Sequence, residues 1–293
     1  MTWQIASIGF GEAGAAFASV WRANGVRACG YDIKLETPAQ LVTMLRRMGD
    51  HEVVPTDTLV LAMSQANIAF SLVTADQALH AAKSAAPLLT KGALWLDLNS
   101  VAPDTKRAAA VAIEQSHGRY VDVAVMAPVH PAGMRVPLLV SGPHSEAAAA
   151  ALREIGFACV EILAGPVGAA SSVKMIRSVM VKGIEALTAE CILAAEAADV
   201  TDPVIASLDA TWPGADWGAR ADYNLDRMLV HGLRRAAEME EAVKMLDGLG
   251  IGSAMTRATV VRQREIGALG LMPPTGLSAK LDAMFGRRKD EAA

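Results

Sequence analysis

Aromatic side chains are scarce here, at 4% of 293 residues. Alanine is abundant, which favours helices packed closely through small side chains. Cysteine occurs three times, at Cys29, Cys159 and Cys191, far apart and with no CxxC or Cys/His cluster. That argues against a disulfide framework and a metal site, and fits a reducing cytoplasm. No apolar stretch reaches the roughly 18–20 uncharged residues a membrane span needs. The first residues run straight into a strand without a basic leader, so no signal peptide is expected. Basic residues gather only at Arg287-Arg288-Lys289, which reads as a solvated helix end, and the net charge is −4. Nucleic acid is therefore not an expected partner.

What is present is apolar and periodic. About half the residues are hydrophobic, enough to bury a large core. Strands are expected at Trp3–Ile8, Gly25–Asp32, Thr58–Met63, Ala93–Leu98, Tyr120–Val125 and Leu138–Ser141. Helices are expected at Ala13–Asn24, Asp76–Leu89, Pro103–Ser116 and Ser145–Ile155. Continuous apolar runs mark strands buried on both faces, as in parallel sheets. The alternation reads as an α/β, Rossmann-type doubly wound sheet. Beyond Gly165 the pattern becomes helical, at Ser171–Ala198, Val204–Thr211, Asn224–Leu249 and Ser253–Leu269. The expected division is a dinucleotide-binding domain over 1–163 and an all-α substrate and dimerisation domain over 164–293.

Gly9-Phe10-Gly11-Glu12-Ala13-Gly14 is a GxGxxG that follows a strand and opens a helix. The first glycine makes the tight turn, the second admits a pyrophosphate to the backbone, and the third lets helix and sheet pack closely. Unpaired N–H groups at the helix start then meet the phosphate charge. The second strand ends in Asp32, where a carboxylate accepts from the adenosine ribose hydroxyls and repels a 2′-phosphate. NAD is thus the expected cofactor. Lys34, a nearby cation, keeps NADP open.

Further motifs sit where such a sheet would present its carboxyl edge. Asp97-Leu98-Asn99-Ser100-Val101-Ala102-Pro103 ends a strand and starts a helix, so Asn99 or Ser100 caps that helix, contacts ligand, or does both. Gly165-Pro166-Val167-Gly168-Ala169-Ala170-Ser171-Ser172-Val173-Lys174 leads into the long helix, and its small residues permit close backbone approach. Lys174, Arg177 and Ser178 share one helical face. Taken alone, Lys174 reads as a snorkelling surface lysine. His130, between Pro128 and Pro131, reads equally as a substrate contact or a fixed surface histidine. Trp212 and Trp217 read as packing residues, and Met228, Met239 and Met245 as core.

These motifs resemble the β-hydroxyacid dehydrogenase family, which includes 3-hydroxyisobutyrate and 6-phosphogluconate dehydrogenases. The resemblance rests on GFGEAG at 9–14, DLNSVAP at 97–103, DVAVMAP at 122–128 and GPVGAASSVKMIRS at 165–178. It implies that Lys174 is the catalytic general acid and base. It places Met63, Ser64, Ser100 and His231 with Asp32 and the glycine turn on the cofactor, and Ser100, Met126, His130, Arg177 and Ser178 on the substrate. Three departures stand out. Arg177 and Ser178 occupy positions where the family usually has asparagine. Met126-Ala127-Pro128 stands where Ser-Gly-Gly is expected. His231 replaces a cofactor-side lysine. Lys182-Gly183-Ile184-Glu185 and Arg234–Met239 resemble an uncharacterised C-terminal domain found in a subgroup of these oxidoreductases. The resemblance implies a homodimer and an NAD(P)-dependent dehydrogenase acting on a small hydroxyacid or related alcohol. Imine reductases, which usually lack the lysine, and a non-catalytic dinucleotide-binding protein are the alternatives.

Overall fold

The structure, a computed structural model, describes residues 3–286; the basic triplet Arg287-Arg288-Lys289 lies outside them. Two compact units divide between Lys174 and Met175. The first opens with β1 (Gln4–Ile8), α1 (Glu12–Ala23), β2 (Arg27–Tyr31), α2 (Pro38–Asp50), β3 (Val54–Pro55), α3 (Leu59–Met63) and β4 (Ile68–Ser71). It continues through α4 (Ala78–Ala85), β5 (Leu94–Asp97), α5 (Pro103–Gln115), β6 (Arg119–Val125), α6 (Val129–Ala132), β7 (Leu138–Ser141), α7 (Ser145–Ile155) and β8 (Val160–Ile162). Then α8 (Ala169–Ala197) carries the chain into the second unit, which holds α9 (Thr201–Thr211), α10 (Trp217–Gly248), α11 (Ala254–Gly267) and α12 (Leu277–Phe285).

The sheet has eight strands in the order β3-β2-β1-β4-β5-β6-β7-β8. All neighbours are parallel except β6 and β7. The doubly wound α/β expectation holds, followed by an all-helical unit. Alternate side chains fill the two faces. Ile5, Phe70, Leu96 and Val123 join α1, α2 and α7 in one core, where Trp21, Phe70, Phe17 and Phe157 form an aromatic chain with ring centroids 5.1–6.2 Å apart. Ala6, Ala69, Trp95 and Tyr120 join α4 and α5 in the other.

Thr58–Met63 is a helix, not the expected strand. Thr58 Oγ1 accepts from the Leu61 N–H at 3.3 Å and caps it. The run buries Ala62 and Met63 but leaves Val60 and Leu61 more than half exposed. A six-residue apolar run carries no period long enough to tell these cases apart. The missing strand is β4, five residues further on.

In the second unit α10 and α11 cross at Gly232 and Gly267. A Cβ on Gly232 would fall on the Gln263 carbonyl oxygen and 2.8 Å from the Gly267 Cα. Neither backbone can yield without separating the helices. Gly232→Ala is therefore expected to cost about 1–3 kcal/mol, the usual range for overpacking, read as a lower urea midpoint. An unchanged midpoint would mean the helices are not held this close.

Candidate functional site

The glycine turn follows β1 directly. Gly9 has φ +87°, and a Cβ there would stand 2.5 Å from the Leu72 carbonyl oxygen just past β4. Only glycine serves at that position. A Cβ on Gly14 would touch the Phe10 ring at 3.0 Å, so this glycine sets helix-to-turn packing. Gly11 differs, since a Cβ there would find no atom within 4 Å. The space above it is a cradle of the kind a pyrophosphate needs. Backbone N–H groups in the first turn of α1 have no intrahelical partner and face that space. Glu12 and Ala13 lie in that turn, Glu12 exposed.

Phe10 does something the motif does not announce. Its ring is fully buried, and its N–H donates to Asp32 Oδ2 at 2.8 Å. The other Asp32 oxygen accepts from the Lys34 N–H at 2.9 Å. Asp32 thus ties the end of β2 to the glycine turn. Asp32→Ala is expected to weaken NAD by about 10–100-fold, since hydrogen bonds to a charged group contribute roughly 1.5–3 kcal/mol. NADP should be affected less. Calorimetry with both dinucleotides checks this, and a parent protein that prefers NADP would sink the reading.

A polar row crosses the sheet. Ser71, Asp97, Asp122 and Ser141 are register partners on β4, β5, β6 and β7. All four are buried, and each has a partner. Asn99 Nδ2 donates to Ser71 Oγ (2.9 Å) and to Asp97 Oδ1 (2.8 Å). The Tyr120 hydroxyl donates to Asp97 Oδ2 at 2.7 Å. Burial and the two carboxylates push the Tyr120 phenol well above its usual range, so it stays protonated. Asp122 accepts from the N–H groups of Gly168 (3.1 Å) and Ser171 (3.0 Å) and from Ser171 Oγ (2.6 Å). It therefore caps the start of α8, where unpaired N–H groups favour negative charge. Gly168 packs its backbone against Pro103 at the start of α5; a Cβ there would lie 3.0 Å from the Pro103 Cβ.

Next to this cap, Lys174 Nζ donates to Ser100 Oγ at 2.6 Å. The lysine and the serine come from motifs 74 residues apart, and both belong to the first unit. Asn99 Oδ1, one residue away, is buried with no hydrogen-bond donor among the described residues. The open space over Gly11 and the orphaned acceptor beside Ser100 both fit a dinucleotide and substrate at the carboxyl edge.

The other expected site residues are placed less favourably or elsewhere. Met63 and Ser64 end α3 and precede β4, so they lie at the amino edge of the sheet. Met63 is buried in the core and Ser64 is an exposed turn residue whose hydroxyl donates to Leu61 O. The segment that meets the glycine turn is Leu72-Val73, after β4. The sequence error follows from taking α3 for that strand. Met126 is half-buried, its N–H donating to Pro137 O at 2.9 Å, and His130 is exposed with extended backbone inside α6. On α8, Arg177 is exposed and Ser178 half-buried; on α10, His231 is half-buried. Lys106, which closes the polar row, went unnoticed in the sequence because Asp104-Thr105-Lys106-Arg107 reads as an ordinary charged helix start.

Known proteins share sequence and fold with this chain. The family model describing the NAD binding domain of 6-phosphogluconate dehydrogenase matches residues 4–165. A domain of unknown function, DUF1932, matches residues 195–266. A conserved hypothetical protein from Sinorhizobium meliloti 1021 is 38% identical, covering 98% of this chain and 97% of that one, with a TM-score of 0.76. Conserved protein MTH1747, described as structurally similar to 3-hydroxyacid dehydrogenases, is 28% identical over 92% of this chain and 99% of its own, at a TM-score of 0.69. The Mycobacterium tuberculosis 3-hydroxyisobutyrate dehydrogenase, solved with L-serine, shares the fold at 15% identity, a TM-score of 0.76 and coverage of 97% and 99%. No curated protein matches the chain. Among the described residues no helix is long and apolar enough to cross a membrane. The chain belongs to the family defined by the NAD-binding domain of 6-phosphogluconate dehydrogenase, with a DUF1932 domain following it.

Proposed function

We propose that the protein is an NAD(P)-dependent oxidoreductase acting on the hydroxyl-bearing carbon of a small hydroxyacid or related alcohol. The observation that carries this is the Lys174–Ser100 hydrogen bond beside an orphaned acceptor at the carboxyl edge. A general acid or base must lie within hydrogen-bond reach of the oxygen it serves. Lys174 already holds a hydroxyl oxygen at that distance. When bound, the dinucleotide supplies the acceptor or donor of the hydride. Lys174 takes the hydroxyl proton as the carbonyl forms, and returns it when the carbonyl is reduced. Ser100 orients the ammonium and offers a second polar contact to the substrate oxygen.

Asp32 favours NAD in this reading, and exposed Lys34 leaves NADP usable. Arg177, one turn along α8 from Lys174, is assigned to a substrate carboxylate or phosphate. Met126, His130 and Ser178 are assigned to the substrate and His231 to the cofactor side. A homodimer in the cytoplasm completes the proposal, supported by Met180 and Leu187, each 64% exposed on α8; light scattering tests it. A panel of hydroxyacids with NAD and with NADP, followed at the nicotinamide absorbance, tests the activity. Turnover of cyclic imines alone would move the reading to imine reduction. Tight dinucleotide binding without turnover of anything would end the enzymatic reading.

A further inference from the structure

We infer that Lys106 is a positioning residue that sets the Lys174–Ser100 contact from below; the inference rests on the reading of Lys174 given above. Lys106 is fully buried on α5. Three oxygens surround its ammonium, two on Asp97 that accept hydrogen bonds and one on Asp122 that forms an ion pair. They are the Asp97 carbonyl oxygen at 2.6 Å, Asp97 Oδ1 at 3.0 Å and Asp122 Oδ1 at 3.4 Å. Each carboxylate leads to one half of the site. Asp97 Oδ1 also accepts from the Asn99 N–H at 3.0 Å and so fixes the strand end that presents Ser100. Asp122 caps the first turn of α8 and so fixes the base of Lys174. One cation therefore bridges the two chain segments whose tips meet in the Lys174–Ser100 hydrogen bond.

Stability alone does not account for such an arrangement. Burying one ammonium and two carboxylates is costly, and apolar residues of similar volume commonly serve stability as well or better. What an ion cluster adds is direction. Its hydrogen bonds to Asp97 and its ion pair with Asp122 hold the two carboxylates side by side across β5 and β6, where without a cation they would repel. Ser141 reinforces the second half, donating to Asp122 Oδ2 at 3.3 Å and accepting from the Ala170 N–H at 3.0 Å. Without Lys106 the two segments would keep their local bonds but lose their shared anchor.

The test uses the full chain with Lys106→Met, which keeps the length of the side chain and removes its charge. Ser171→Ala, which deletes only the 2.6 Å bond to Asp122, serves as the milder variant should the first fail to fold. Three quantities are read: amide hydrogen exchange, the rate of Lys174 acetylation at fixed pH by mass spectrometry, and steady-state kinetics with dinucleotide affinity. Exchange at Asn99, Gly168 and Ser171 should quicken while α1 stays protected. Lys174 should be acetylated several-fold faster. Turnover should fall by about 100-fold, the loss typical of ångström-scale misplacement, with NAD affinity unchanged. The effects of Ser171→Ala should run the same way and be smaller. A lower melting temperature with unchanged acetylation and kcat would overturn the inference and leave Lys106 a structural residue. If the parent protein turns over no substrate, the functional reading falls. The acetylation rate then decides on Lys106 alone, and an unchanged rate overturns it.

Discussion

Lys174→Met is expected to lower kcat by about 10²–10⁴-fold, the contribution typical of a positioned acid or base, and to leave dinucleotide affinity within a few-fold. Methionine nearly matches lysine in shape but can neither give nor take a proton. The fold should tolerate the change. The start of α8 is held by Asp122 through Gly168 and Ser171, not by Lys174. Ser100 loses one hydrogen-bond donor, yet it is only half-buried and water can replace that donor. The phosphate cradle lies at the end of β1, two strands away from Ser100 in the sheet. Binding and chemistry should therefore separate cleanly, binding read by calorimetry and chemistry by steady-state turnover. A variant that retains the parent's kcat would remove Lys174 from proton transfer.

Gly11→Val should abolish measurable NAD binding with little change in melting temperature. At this position the backbone has φ −82°, which any residue adopts, and a Cβ meets nothing within 4 Å. The isopropyl group would simply fill the space reserved for the pyrophosphate. Gly9→Ala offers the contrast. There the new methyl would collide with Leu72 O, and φ is positive, so stability should fall as well as binding. If Gly11→Val binds NAD normally, the phosphates lie somewhere other than over this turn.

Much of this was legible before any coordinates. The glycine turn and the polar end of β2 are local patterns read from spacing, whereas Lys174 taken alone reads as a surface lysine and was singled out only by the family resemblance. The apolar runs at β5, β6 and β7 were legible too, and each is buried along most of its length, unlike the equally apolar run at Thr58–Met63. What the sequence did not show is tertiary. β3 has two residues and β8 three, too short for any period. The start of α2 is marked only by Pro38, which follows Thr37. Met63 and Ser64 were misassigned because a capped helix imitates a strand over six apolar residues. The role of Lys106 depends on Asp97 and Asp122 standing side by side. No spacing along the chain encodes that neighbourhood, because it arises from the register of β5 against β6.

The double duty of Asp32 constrains anyone who would re-engineer this protein's cofactor choice. The usual route from NAD toward NADP replaces the acidic residue at the end of the second strand with a small neutral one and adds a cation. Here that exchange would also strip the acceptor from the Phe10 N–H, inside the turn proposed to hold the phosphates. Selectivity and general affinity would drop together, and a screen for the new preference would discard the intended variant as a weak binder. Asparagine, which keeps a carbonyl oxygen for Phe10 while discarding the charge, is the better first step, with Lys34 already in place as the cation. If Asp32 sets the cofactor as proposed, a change of specificity is expected to go further when the Phe10 N–H keeps an acceptor throughout.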